Sequence, residues 1–248
     1  MIRGAGTLLN IATILLGSGL GVAVRGRLPE RTRGTVTDAL GLVTLVIAGL
    51  NVADGLSSSA YRTAVGPSAG LLIVLGALLI GGIVGSLLRL EDRLESSGRW
   101  LQRRLAWGAG PSRARFVEGY VTASLLFCVG PLAVLGSLSD GLGRGIEQLA
   151  LKSTLDGFAA VAFAASLGWG VAASAVSVAV IQGLLTVVGA LLGNLLPAAE
   201  VAALTATGGV LLLGVGLRLL AVKAIPVADL LPALAVAPAL AALVSALR

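Results

Sequence analysis

"LDGFAAVAFAASLGWGVAASAVSVAVIQG", residues 155–183, carries one charged residue, Asp156, in 29 positions. A helix needs roughly 20 apolar residues to cross the hydrocarbon core of a bilayer, so this run is too long for a single crossing. Gly168-Trp169-Gly170 is the natural hinge within it, since glycine adopts the backbone conformations that end helices. With a turn at that hinge the chain has eight spans; without one it has seven.

The rest of the sequence has the same character. Hydrophobic residues make up 56% of the 248 and charged residues only 12%, about half of what a soluble domain carries to solvate its surface. A bilayer must therefore solvate the outside. Apolar runs fall near 7–24, 36–53, 69–89, 116–137, 148–168, 172–193, 201–221 and 228–246. The ten-residue alternation of a membrane barrel is absent, so the spans are expected to be helical. The predicted fold is an all-α polytopic membrane helix bundle, one integral membrane domain over 1–248.

Of the 18 basic residues, 13 follow spans one, three and seven: Arg25, Arg27, Arg31 and Arg33, then Arg89, Arg93, Arg99, Arg103, Arg104, Arg113 and Arg115, then Arg218 and Lys223. With eight spans these share one side, and the positive-inside rule makes it cytoplasmic, with both termini outside. Arg3, Arg62, Arg144, Lys152 and Arg248 belong to the other side. Because each basic cluster borders a hydrophobic run, the net charge of +6 fits anionic lipid headgroups and not nucleic acid. Residues 89–108, with Leu90, Leu94, Trp100, Leu101, Leu105 and Trp107 among charges, form an amphipathic connector expected to lie along the cytoplasmic surface.

Internal echoes suggest a duplication. Asn10 precedes Gly17 and Gly21 at the spacing by which Gln182 precedes Gly189 and Gly193. Gly41 and Gly49 of span two match Gly208 and Gly216 of span seven. Partners five spans apart cross in opposite directions, the signature of an inverted-topology repeat. In "FVEGYVTASLLFCVG" (116–130) and "LDGFAAVAFAASLG" (155–168), Glu118-Gly119-Tyr120 also aligns with Asp156-Gly157-Phe158.

Carboxylates inside a bilayer are costly, and persist where they are paired or functional. Glu118 and Asp156 have two readings. They cap helix starts, with Arg115 and Lys152 as local partners, or they form a cation or proton site between spans four and five. In the second reading Gly119 and Gly157 admit close backbone approach, and Thr122, Ser124, Ser153 and Thr154 add hydroxyls. Pro131 would then free the Phe127 carbonyl, bending span four near Cys128-Val129-Gly130. Asn10 and Gln182 read as polar links between helices. Asp38 and Asp140, at span ends, are expected to be solvated. "TATGG" (205–209) resembles a loop at the start of span seven, and Pro232 and Pro238 suggest an irregular span eight.

With no histidine, the usual zinc ligand and neutral-pH acid–base group are missing, and the single Cys128 rules out an intrachain disulfide. No catalytic, cofactor or metal motif is present, so an enzyme is not expected.

"RFVEGYVTASLLFCVGPLAVLGSLSDGL" (115–142), "KSTLDGF" (152–158) and "ATGGVLLLGVGL" (206–217) resemble the family known as domain of unknown function 554, bacterial inner-membrane proteins. The resemblance runs from "GTLLN" (6–10) to "DLLPAL" (229–234). Pro131 departs from it, standing where the family pattern has a small non-proline residue. The resemblance implies a multi-spanning cytoplasmic-membrane protein and assigns no activity. The expected function is a small-solute or ion permease; the alternative is a non-transporting scaffold or sensor using the arginine-rich connector. Glycine-lined spans one, three and six allow packing within a protomer or in a homo-oligomer.

Overall fold

The computed structural model describes residues 3–25, 29–66, 69–104, 111–128, 131–143, 145–192 and 197–247. Gly130, Gly193, Leu105, Trp107, Arg27, Arg144 and Arg248, which figured in the sequence reading, lie outside them. The described residues form eleven helices and a short 3-10 turn: α1 (Ala5–Arg25), α2 (Glu30–Ser57), α3 (Ser59–Val65), α4 (Ala69–Leu87), α5 (Leu90–Arg104), α6 (Pro111–Cys128), α7 (Pro131–Gly141), α8 (Glu147–Leu167), α9 (Gly170–Leu192), α10 (Ala198–Leu219), the turn (Val227–Leu230) and α11 (Ala233–Ala246). Among the described residues seven stretches are long and apolar enough to span a membrane, and α6 with α7, bent by 77°, make an eighth if the pair is one span.

The hinge is a turn. α8 ends at Leu167, Gly168 adopts a left-handed φ of 84°, and its amide bonds back to the Ala164 carbonyl. The Arg25 guanidinium lies against Gly168, where a Cβ would collide with it. Outward faces are apolar: Leu8, Leu16 and Leu20 on α1, Leu71, Leu79 and Ile83 on α4, and Phe158 on α8 are all exposed. Water would penalise that surface, and lipid does not.

The chain folds as two compact units. The first comprises Met1–Leu40, Leu94–Cys128 and Leu132–Asn194. In it α1 runs parallel to α8, with Gly6 facing Leu149, Gly17 facing the Gly157 carbonyl and Gly21 the Val161 carbonyl. Side chains at Gly17 and Gly21 would overlap α8 backbone, and one at Gly6 the Leu149 side chain, so small residues set the helix separation. α6 runs parallel to α9 in the same manner, with Gly170 against the Phe116 carbonyl and Ser177 bonded to both Tyr120 and Ser124.

The second unit comprises Gly41–Arg93, Val129–Pro131 and Leu195–Arg248. There α2 and α10 cross antiparallel, with Gly55 on Ala202 and Ala206, and Gly209 on Ala48 and Val52. "TATGG" therefore lies inside α10 and is not a loop; its glycine admits the α2 backbone. α4 and α11 also cross antiparallel, from Gly76 near Leu240 to Gly85 at the Asp229 carbonyl. The last span is irregular as expected: a 3-10 turn precedes α11, and Pro238 lies within it. Tyr61 of α3 anchors the end of α4, its hydroxyl donating to the Gly70 carbonyl at 3.1 Å.

Candidate functional site

The first unit buries an ion pair. On α8, Lys152 and Asp156 are one turn apart and face inward, while Leu151, Leu155 and Phe158 face out. Lys152 Nζ donates to Asp156 Oδ2 at 2.6 Å, with the two side chains only 8% and 10% exposed. Asn10 Nδ2 of α1 donates to the same oxygen at 3.0 Å. Asp156 is nine residues beyond Glu147, about 13 Å along the helix axis and well inside the hydrocarbon thickness. The close α1–α8 approach at Gly17 and Gly21 holds Asn10 within reach of the carboxylate.

Beside the pair are polar atoms without protein partners. Asn10 Oδ1 and both amide atoms of Gln182 on α9 are buried and make no hydrogen bond among the described residues. Thr7 and Thr186 join α1 to α9 through their hydroxyls, 3.4 Å apart, and Thr186 also donates to the Gln182 carbonyl at 2.9 Å. Buried polar atoms are nearly always satisfied in folded proteins, so three open amide atoms in one region mark a place suited to a polar guest.

The span formed by α6 and α7 is broken beside this region. α6 starts where α9 starts, near Phe116 and Gly170, at the end of the unit where α1 finishes. α7 ends where α1 and α8 begin: Asp140 accepts hydrogen bonds from the Gly4 and Gly6 amides, both at 3.0 Å. The bent pair therefore crosses from one end of the unit to the other and is one discontinuous span, which gives eight. Pro131 opens α7 as its first residue, where the missing N–H costs nothing; a whole new helix starts there, beyond the expected kink. Cys128, the last residue of α6, is buried.

The sequence-predicted residues separate. Asp156 lies in the buried network, and Asn10 is part of it. Gly157 packs on α1 as a close-approach glycine, its carbonyl under Gly17. Glu118 is exposed on α6 and makes no ion pair with Arg115 among the described residues, so the two acids do not converge. Gly119 packs at the very start of α9, against Gly170 and Val171, whereas Gly157 meets the middle of α1. The aligned acid-glycine pairs thus occupy different places in the packing. Thr122 and Cys128 are buried, and Gln182 is fully buried on α9.

One expectation is corrected here. Asp140 is buried, at 2% exposure, because it caps α1. Lys152, expected as the local helical partner of Asp156, does pair with it, buried one turn before it on α8. The four-residue spacing of Lys152 and Asp156 was readable, but their shared inward face was not. Among the described residues no three His, Cys, Asp or Glu side chains converge as metal ligands. The chemistry available is one carboxylate, one ammonium and two carboxamides beside a helix break.

These features define a polytopic helical membrane protein with a discontinuous span and a buried ion pair. The chain belongs to the family described as Protein of unknown function (DUF554), matched over residues 5–242. It is 32% identical to Uncharacterized protein YqgA of Escherichia coli (strain K12) over 238 residues, 96% of each chain. It is 26% identical to Uncharacterized membrane protein YdfK of Bacillus subtilis (strain 168) over 233 residues, 94% of this chain and 93% of that one. No solved structure matches it.

Proposed function

We propose that this protein is a small-solute or ion permease of the bacterial cytoplasmic membrane, with its site at Asp156, Lys152, Asn10 and Gln182. The observation that carries the reading is a broken span ending beside a buried, hydrogen-bonded carboxylate–ammonium pair. Discontinuous helices near the bilayer midplane form transporter sites, because their ends supply partial charges and unbonded backbone groups. A protein that only needed to pack would gain more from apolar residues at Lys152 and Asp156 than from a desolvated pair.

Helix pairing supports an inverted repeat. α1 and α9 are antiparallel neighbours, as are α2 and α10, and α4 and α11. These are the pairings expected when a two-fold axis in the membrane plane relates the two halves. The arginine-rich ends are assigned to the cytoplasm, with both termini outside and the basic residues facing headgroups, not nucleic acid. No enzymatic role is assigned. The cation or proton site expected between the fourth and fifth spans is reassigned: Glu118 leaves it, and α1 and α9 join it.

The scaffold alternative gains little from α5, whose Gly98 packs on Tyr120 and whose Glu91 accepts from Arg218 and from the Ala228 amide. Those contacts suit a connector. Purified protein in liposomes should conduct protons, Na+ or K+, read with a pH-sensitive dye and ion-selective electrodes. Flux should vanish in Asp156→Asn and persist in Glu118→Gln. Equal flux in wild type and Asp156→Asn would remove the assigned site.

A further inference from the structure

The register between α1 and α9 is fixed at both ends. Thr7 meets Thr186 through their hydroxyls, and the Arg25 guanidinium lies against Gly168, just before α9 begins. Counting inward from either contact at equal rise places Asn10 level with Gln182 and Gly183, and Ile14 level with Val178 and Ala179. Asn10 is seven residues before Gly17, and Gln182 seven before Gly189. The two glycines pack alike: Gly17 meets the Gly157 carbonyl of α8, and Gly189 the Leu138 carbonyl of α7. In an inverted repeat the two carboxamides are therefore corresponding residues, facing each other where the two-fold axis passes between α1 and α9.

Carboxamides that serve only to tie helices together bond across the interface. Asn10 and Gln182 are fully buried and do not. Asn10 Nδ2 donates to Asp156. A carboxylate only accepts, so the nitrogen is the arm turned toward it, and Oδ1 is left as an open acceptor. Gln182 keeps both arms open, since neither Nε2 nor Oε1 has a hydrogen bond among the described residues. The layer is bounded on each side. Thr186 gives its proton to the Gln182 backbone carbonyl, so Thr7 donates to Thr186. One turn further in, Ile14 and Val178 are fully buried and apolar. Thr7 and Ile14 are separated by about 10 Å of helix, which limits a guest to a few heavy atoms. Lys152 and Asp156 already neutralise each other, so a charged guest would add an unpaired charge inside the bilayer.

We propose that the solute of this permease is a small uncharged primary amide, of the acetamide or urea kind, held between Gln182 and Asn10. The proposal rests on the permease reading and names its solute class. The guest carbonyl accepts from Gln182 Nε2 while one guest N–H donates to Gln182 Oε1, the two-bond ring that a pair of carboxamides forms. The second N–H of the guest donates to Asn10 Oδ1. All three open atoms are then satisfied and no charge is added. Asp156 and Lys152 act here as positioning residues: by engaging Asn10 Nδ2 they leave its oxygen to the guest.

The test measures binding separately from flux. Full-length protein is placed in nanodiscs of phosphatidylethanolamine and phosphatidylglycerol, and radiolabelled acetamide is followed by scintillation proximity. Binding should saturate, be displaced by urea, and be unmoved by equal concentrations of acetate or N,N-dimethylacetamide. Gln182→Leu keeps most of the bulk and removes both amide atoms. It should weaken binding about tenfold or more, yet melt no lower than wild type, because unbonded buried polar atoms leave with it. Thr154→Val, on the exposed face of α8, should bind as wild type does. No saturable binding to wild type, equal binding in Gln182→Leu, or displacement by acetate as strong as by urea would each overturn the proposal. So would a Gln182→Leu protein that melts well below wild type, since its amide would then be bonded within the fold. Amide binding without flux of ion or amide in liposomes refutes the permease reading and leaves the amide site standing. Ion flux that Asp156→Asn abolishes, with no amide binding, does the reverse.

Discussion

Replacing Lys152 by methionine keeps the length of the side chain and removes its charge, leaving Asp156 alone inside the membrane. At 2.6 Å and an effective dielectric of about 20, the pair's attraction is about 6 kcal/mol. The cost of taking both charges out of water offsets part of it, so breaking a buried pair from one side costs about 3–5 kcal/mol. For a chain of this size that corresponds to a fall in melting temperature on the order of 10 °C. Differential scanning fluorimetry in detergent, using the tryptophan signal, reads it. Lys152→Met combined with Asp156→Leu removes both charges and should recover about half of the loss. It should stay about 1–3 kcal/mol below wild type, since Asn10 Nδ2 loses its acceptor. A double variant as unstable as the sum of the two single changes, or a Lys152→Met protein as stable as wild type, would refute a coupled buried pair.

Three further outcomes follow from the packing. Gly17→Ala should cost about 1–3 kcal/mol, because its methyl meets the Gly157 carbonyl; Gly19→Ala, with open space around it, should stabilise by up to about 1 kcal/mol, and thermal melts compare the two. Asp140→Ala should free the start of α1 and cost about 2–4 kcal/mol, read as faster amide exchange at residues 4–6, with Asp140→Asn intermediate. Burial pushes the Tyr61 phenol up from 10.0 to about 12. The unfolded chain then loses that proton first, so stability falls as pH rises from about 10 to about 12. Ultraviolet titration should show tyrosinate from Tyr61 appearing only near pH 12, and a Tyr61→Phe protein should lack that late step.

Much of the fold was legible, because bilayer thickness fixes span length and lipid forbids unbonded backbone. Residues 155–183 had to divide, and Gly168 supplied the left-handed residue that divides them. The glycines of α1 announced a close helix contact, although not that α8 was the partner. Repeat matching by sequence was less secure. Glu118-Gly119 and Asp156-Gly157 align letter for letter, yet the first meets the start of α9 and the second the middle of α1. Alignment compares residue types, whereas packing depends on which helix face meets which neighbour and at what depth.

The sequence by itself determined the class: too few charges for water, runs of the right length for a bilayer, and arginines clustered beside those runs. These follow from transfer free energies that each residue carries wherever it is placed. Only the tertiary structure decided which polar residues meet. Asn10 reaches Asp156 across 146 positions, Asp140 accepts from the Gly4 amide across 136, and Tyr120 joins hydroxyls from two other helices. Hydrogen bonds and ion pairs depend on distances of about 3 Å, and helices far apart in sequence reach such distances only once their glycine faces have packed.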